Sequence, residues 1–127
     1  MIVQLLPPDT PQGLGRVMPP ASDWVRLRAA LLRERGPLCE RQGCRNGWQE
    51  LHHAIVAVRR KPERLYRLLS VSANLMCLCV SCHMEHGRDR SLRLAFIEKQ
   101  KARGIDLRAF VDSLPLKDKD DLYRLVA

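Results

Sequence analysis

The chain has 127 residues, with 22 lysines and arginines against 14 acidic residues and a net charge of +8. A chain of this length forms one small domain whose core gains stability from an additional cross-link. Its excess of positive charge favours a polyanion such as DNA as partner. Membrane and secreted proteins are not expected, because no run approaches the roughly 18 apolar residues of a membrane helix and residues 1–6 lack the basic start of a signal peptide. We therefore expect a cytoplasmic protein.

The excess of positive charge lies mainly in the middle of the chain. There, few acidic residues (Glu63, Glu85, Asp89 and Glu98) face many basic ones, namely Arg59, Arg60, Lys61, Arg64, Arg67, Arg88, Arg90, Arg93, Lys99, Lys101 and Arg103. Such a block favours nucleic-acid binding, although like charges also form solvated surfaces that have no partner.

The first predicted elements are an arm and a helix. Residues 1–20 contain five of the eight prolines, which cannot continue a helix, so we expect an extended or disordered arm. From about residue 22 to 35, apolar residues recur at helical spacing, and Gly36-Pro37 supplies the stop.

The middle of the chain alternates loops with short strands and helices. A turn-rich loop over 39–47 precedes an apolar stretch over 48–58 that suits a short strand or two. The elements expected next are a short helix beginning near Pro62, a loop over 70–74, a strand over 75–79 and a helix over 80–87.

Three helical pieces are expected towards the end of the chain. Apolar residues share one face over 91–102, a second piece begins at Asp106 and ends before Pro115, and a last short helix opens at 118–121. We therefore expect an α+β fold in three parts, which are an arm over 1–20, a core over 21–90 and a helical extension over 91–127.

Four of the five cysteines form two closely spaced pairs, Cys39-x4-Cys44 and Cys79-x2-Cys82. An odd number of cysteines in a chain without an export signal argues against a disulfide framework, and four thiolates fill the tetrahedral coordination of Zn²⁺. The pairs therefore predict a structural zinc site, with four unrelated reduced thiols as the alternative. Cys77, in the predicted strand, should point to the same face as Cys79 and is interpreted as a buried thiol.

Three of the four histidines lie beside these cysteines without a role in the zinc site. His52 and His53 lie between the cysteine pairs, and His83 follows Cys82 directly. Imidazole is the commonest neutral metal ligand and a base suited to pH 7, and adjacent residues of a strand point to opposite faces. The pattern therefore favours a functional role for these histidines, although a histidine taken singly is more often an ordinary polar residue.

The ordered run of these residues resembles the zinc-containing form of the HNH endonuclease motif, over about residues 24–90. The resemblance is carried by Cys39-x4-Cys44, by Glu50-Leu51-His52-His53, and by the segment that contains Asn74-Leu75, Cys79 and Cys82-His83. It implies a small ββα-metal core, also called the His-Me finger, stapled by a four-cysteine zinc site and flanked by N- and C-terminal helices. It also implies a catalytic divalent ion, such as Mg²⁺ or Mn²⁺, for the hydrolysis of DNA phosphodiester bonds.

The resemblance assigns a role to each matching residue. His52 and His83 match the ligands of the catalytic ion, and His53 matches the general base. Asn74 matches the residue that fixes the base and its loop, although asparagine is also a common turn residue.

The sequence departs from the family pattern at Gly87, where many members carry a further histidine. His86, one position earlier, lies three residues after His83 and so on the same helix face. It is a candidate third ligand or phosphate contact. The stretch between His53 and Asn74 is long and basic. Its residues Arg59, Arg60 and Lys61 are the expected DNA contacts.

The expected function is therefore metal-dependent cleavage of DNA, by nicking or double-strand cutting, with no role at a membrane. A phage or mobile-element origin, with action in the host cytoplasm and a place in a larger complex, fits this expectation. The alternative is a catalytically silent zinc module that binds nucleic acid or scaffolds a complex. Cleavage in the presence of a divalent metal separates the two.

Overall fold

The computed structural model describes residues 21–59 and 61–127, which we call the described residues. The predicted arm over 1–20 and the predicted DNA contact Arg60 lie outside them. The described residues form a small α+β fold with one two-stranded antiparallel sheet and six α-helices. None of the described helices has the length and apolar character needed to cross a membrane.

The helices and strands follow one another in the predicted order. They are helix α1 (Ala21–Arg35), strand β1 (Glu50–His53), a 3₁₀ turn (Glu63–Leu65) that runs into α2 (Tyr66–Leu69), strand β2 (Leu75–Leu78), and helices α3 (Val80–His86), α4 (Arg90–Ala102), α5 (Leu107–Asp112) and α6 (Asp120–Val126). The helices predicted over 22–35, 80–87 and 91–102 and the strand predicted over 75–79 agree with observed elements to within one residue at each end.

The strands β1 and β2 pair antiparallel, in a register that sets His52 opposite Met76 and His53 opposite Leu75. Successive side chains of a strand point to opposite faces, so His52 and His53 leave the sheet on different sides. Because the sheet has only two strands, the outer edge of β1 carries no further strand among the described residues.

Helix α1 covers one face of this sheet. Its buried Leu27 and Leu31 pack against Leu75 and Cys77 of β2 in a small apolar cluster. Residues four apart on a helix and two apart on a strand share a face, which explains why these four side chains meet. The contact fixes α1 beside the strand pair.

The other face of the sheet belongs to the main core. Met76 and Leu78 lie in one cluster of buried apolar side chains with Phe96 of α4 and Phe110 of α5. Helix α5 begins as predicted, because the side chain of Asp106 accepts a hydrogen bond from the backbone N–H of Ala109 at 3.0 Å. Helices α4 and α5 thus pack against the face of the sheet opposite α1.

A buried ion network links α1, the first cysteine loop and α4. Oε1 of the buried Glu40 accepts from guanidinium nitrogens of Arg35 at 3.2 Å and Arg103 at 2.8 Å, and its Oε2 accepts from the backbone N–H of Cys77 at 3.1 Å. The buried Arg35 also donates to the carbonyl oxygen of Leu75 at 2.6 Å. Since buried charges are stable only when paired and hydrogen-bonded, these contacts hold the cysteine loop against β2.

Candidate metal centre and active-site cleft

The four paired cysteines, Cys39, Cys44, Cys79 and Cys82, come together in space. Their sulfur atoms all lie within 4.8 Å of one another, and the Sγ atoms of Cys44 and Cys79 are 3.9 Å apart. Sulfurs about 2.3 Å from a central zinc ion at tetrahedral angles are roughly 3.8 Å apart, so the cluster has the dimensions of a tetrathiolate site. The four cysteines can therefore hold a metal such as zinc.

Tight turns bring the two members of each cysteine pair together. The first turn passes through Gly43, whose φ of 84° lies in the left-handed region that favours glycine. The second is the N-terminus of α3, where the Sγ of Cys79 accepts from the backbone N–H of Cys82 at 3.4 Å. That hydrogen bond contributes most to lowering the pKa of Cys79 to about 6, whereas burial raises the pKa of Cys82 to about 12. One thiolate is thus favoured before metal binding, and the charge of the metal would favour the others.

Cys77 is separate from this cluster. Its side chain is fully buried beside α1, and burial, followed by the negative charge of Glu40, raises the pKa of its thiol to about 12. The predicted buried thiol is confirmed, but the prediction that Cys77 and Cys79 share a face is wrong. Strand β2 ends at Leu78, and Cys79 already has the position of a helix N-cap, so the alternation of the strand does not reach it.

His52 of β1 and His83 of α3 lie side by side where the sheet meets the helix. Their ring centroids are 4.9 Å apart. The Nδ1 of His83 is 2.7 Å from Oε1 of Glu50, which lies two positions before His52 and so on the same face of the strand. A carboxylate in this position fixes the ring orientation of a histidine, as it does for many metal-bound histidines.

The surroundings of His52 select its protonation state. Burial lowers the pKa of His52 to about 4, the charge of His83 acts in the same direction, and a hydrogen bond with the backbone of Gly87 opposes both. His52 is therefore neutral at pH 7, which is the state in which imidazole binds a metal.

His53 leaves β1 on the opposite face. Its Nε2 is 3.0 Å from the Oγ of Ser70, a buried residue at the end of α2, and its ring centroid is 5.5 Å from that of Tyr66. The cleft at this side of the protein reaches around β1 and is lined by His52, His53 and His83 together. The fold thus brings the three histidines of the motif to one cleft.

Asn74 is fully buried just before β2 and makes four hydrogen bonds with its side chain. Its Oδ1 accepts from the backbone N–H groups of Ile55 and Val56 at 2.9 and 2.8 Å. Its Nδ2 donates to the carbonyl oxygens of Val56 and Leu69, both at 2.9 Å. Because Ile55 lies 19 positions away, Asn74 does more than close its own turn: it fixes the turn that follows His53.

Replacing Asn74 by alanine is expected to destabilise the fold by at least about 4 kcal/mol, because four buried backbone groups lose their partner and each such loss costs about 1–3 kcal/mol. The midpoint of urea unfolding, followed by circular dichroism, measures the change. Asn46→Ala is the control, since Asn46 is exposed and, within the described part of the chain, its side chain makes one hydrogen bond, at 3.7 Å to the Sγ of Cys79. Equal losses in the two variants would contradict the role of Asn74.

His86 lies at the end of α3 and does not line the cleft. Its Nδ1 is 2.8 Å from Oδ2 of Asp89, and its Nε2 is 3.7 Å from Oε2 of Glu85. At the next position, a Cβ on Gly87 would lie 2.5 Å from the carbonyl oxygen of His83, so the backbone leaves no room for a side chain. A histidine at position 87 would therefore require the backbone at the end of α3 to shift.

The cleft has a volume of about 1150 Å³ and is lined by four arginines, Arg28, Arg59, Arg88 and Arg93. Within residues 21–59 and 61–127, none of these four forms an ion pair with a carboxylate. The carboxylates that line the cleft, Glu50, Glu85 and Asp89, face histidines instead. The cleft can therefore bind an anion beside the histidines.

The predicted DNA contacts occupy different places. Arg59 lines the cleft, whereas Lys61 does not. The sequence places Arg93 only in the basic block, although this residue lines the cleft as well. The hydrogen bond from Arg93 to the carbonyl oxygen of Ile55 joins residues 38 positions apart, so no local sequence pattern predicts it.

Comparisons of the chain with protein-family models, curated proteins and solved structures gave no significant match.

Proposed function

We propose that this protein is an HNH endonuclease that hydrolyses DNA phosphodiester bonds with one divalent ion and His53 as general base. The proposal rests on the juxtaposition of His52 and His83, with ring centroids 4.9 Å apart, in a basic cleft that His53 also lines. The cysteine cluster has no need of these histidines, because four thiolates saturate a tetrahedral metal. Strands β1 and β2 and helix α3 follow one another in the order of the ββα-metal core that the motif implies, with the 3₁₀ turn and α2 between the two strands.

His52 and His83 would hold the catalytic ion, which is Mg²⁺, Mn²⁺ or another divalent metal. Two imidazole ligands leave coordination positions for water and phosphate oxygens, and the bound ion would polarise the scissile phosphate and stabilise the leaving 3′ oxygen. Glu50 orients the ring of His83 through Nδ1. His86 stays a candidate third ligand or phosphate contact, and its use as a ligand requires its ring to leave Asp89.

His53 would take the proton from the attacking water. Its Nε2 lies 3.0 Å from the Oγ of Ser70, and this contact fixes the plane of the ring, as a general base requires. The water oxygen would bond to phosphorus while the bond from phosphorus to the 3′ oxygen breaks, and the leaving 3′ oxygen would take a proton from solvent. The products then carry a 5′-phosphate and a 3′-hydroxyl group.

DNA is the proposed substrate because of the charge of the cleft. Arginines of the cleft that have no carboxylate partner within the described ranges attract the phosphate backbone. We include Arg59, with Arg60 and Lys61 of the same basic stretch, among the phosphate contacts. Phosphate contacts carry no base information, so binding should tolerate different sequences and weaken strongly with salt.

Incubation of the zinc-loaded protein with supercoiled plasmid and a panel of divalent metals tests the proposal. We expect conversion to nicked or linear DNA with Mg²⁺, Mn²⁺ or another divalent ion, and no conversion without added metal. Nicks should be resealed by DNA ligase, because ligase needs the 5′-phosphate and 3′-hydroxyl ends. Zinc content is measured before and after each reaction, so that loss of the structural metal is not mistaken for loss of the catalytic one.

The same assay separates the proposal from a catalytically silent zinc module. Plasmid that is bound, as a gel shift reports, but remains supercoiled under every metal would favour the silent module. Products with 3′-phosphate ends would contradict the proposed chemistry even if the DNA is cut.

A further inference from the structure

Two of the arginines that line the cleft are half-buried, and they differ in their partners. Arg28 lies over the ring of Trp48, with 4.8 Å between its guanidinium carbon and the ring centroid. Arg93, in the first turn of α4, donates a hydrogen bond from its guanidinium to the carbonyl oxygen of Ile55. Ile55 follows His53 by two positions, so this bond holds the guanidinium of Arg93 beside the turn that Asn74 fixes.

The positive charge of Arg93 has no carboxylate partner in the part of the chain that the structure describes. Burial lowers the pKa of the guanidinium, and the neighbouring charge of Arg90 acts in the same direction. A guanidinium has five N–H donors, and the carbonyl of Ile55 is one acceptor. A half-buried cation in this position gains most from an anion that accepts the other donors.

We propose that Arg93 is a phosphate-binding residue, whose guanidinium binds a phosphodiester group of a nucleic-acid strand beside His52, His53 and His83. Its planar fork of donors matches two oxygens of one phosphate, a geometry that a lysine ammonium does not offer. The identification of the anion as a nucleic-acid phosphate rests on the proposed nuclease function. A contact at this point would also set the distance between the strand and the general base.

The test measures DNA binding in the absence of cleavage. Fluorescence anisotropy of a short labelled duplex is recorded with zinc-loaded protein, no added divalent metal and a series of salt concentrations. Arg93→Gln removes the charge but keeps an N–H donor for Ile55, and Arg93→Lys keeps the charge but loses the fork. Arg33→Gln is the matched control, because Arg33 is an exposed arginine of α1 that does not line the cleft.

For Arg93→Gln we expect about tenfold weaker binding and a slope of log affinity against log salt that is smaller by about 0.9, which corresponds to one lost phosphate contact. Arg93→Lys should bind several-fold more weakly with an unchanged slope, and Arg33→Gln should match the parent in both. Melting temperatures of all four proteins report whether each is folded.

A folded Arg93→Gln protein with the affinity and slope of the parent overturns the assignment, as does a parent protein that does not bind the duplex. If Arg93→Gln does not fold, parent-like affinity of Arg93→Lys overturns it instead. If the Arg93 substitutions change DNA binding as expected but the parent protein cuts no plasmid under any metal, the phosphate site is supported and the nuclease proposal is contradicted.

Discussion

Replacing His53 by alanine is expected to lower the rate of plasmid cleavage by about 10²- to 10⁴-fold, because a positioned general base contributes about this much to a rate. The variant should still bind zinc and DNA. His53 lies outside the cysteine cluster, and its loss removes the contact with the Oγ of Ser70 and the ring contact with Tyr66. The rate of nicking at saturating DNA measures the effect, and zinc content and melting temperature are determined on the same preparation.

His86→Ala is compared in the same experiment, where it tests the candidate third ligand. His86 belongs to the same motif, but it contacts Asp89 and does not line the cleft. Its replacement should change cleavage by only a few-fold if the ring stays with Asp89, and a loss as large as that of His53→Ala would make it a third ligand of the ion. Cleavage by a folded His53→Ala protein at the rate of the parent would contradict the proposed mechanism.

The elements that surround the cleft could be predicted because each has a local signal in the sequence. The spacing of Cys79 and Cys82 is that of a turn leading into a helix, and α3 begins at the residue after Cys79. The alternation of a strand requires His52 and His53 to leave on opposite faces, and their contacts with His83 and Ser70 follow from this. The same reasoning failed for Cys77 only because β2 ends one residue before Cys79.

Contacts between distant residues have no such signal. Glu40 lies in a polar loop and would be expected on the surface, yet it is buried between Arg35 and Arg103, which is 63 positions away. The hydrogen bond from Arg93 to Ile55 could not be predicted from the sequence for the same reason. Periodicity shows which face of an element is apolar, but the partner of a charged residue depends on how the whole chain packs.

Replacing Cys44 by serine is expected to remove the metal and most of the stability of the fold. Structural zinc contributes on the order of 10 kcal/mol to the folding of small zinc domains, whereas a whole domain is stable by about 5–15 kcal/mol. The cysteine cluster joins the loop of Cys39 and Cys44 to the start of α3, so losing it frees both segments at once. Elemental analysis should find less than one zinc per chain, and thermal unfolding should lose its cooperative transition.

Cys77→Ala is the matched control, because it removes a buried thiol outside the cluster and should cost only about 1 kcal/mol through the small cavity it leaves. Zinc loss by Cys77→Ala or zinc retention by Cys44→Ser would contradict the ligand set.

The cysteine cluster also holds the start of α3, and with it His83, which follows Cys82 directly and is a proposed ligand of the catalytic ion. Zinc-stripped protein should therefore not cleave DNA when only Mg²⁺ or Mn²⁺ is added, and cleavage should return when zinc is restored first. Cleavage by zinc-free protein at the rate of the parent would instead mean that the position of His83 does not depend on the cysteine cluster.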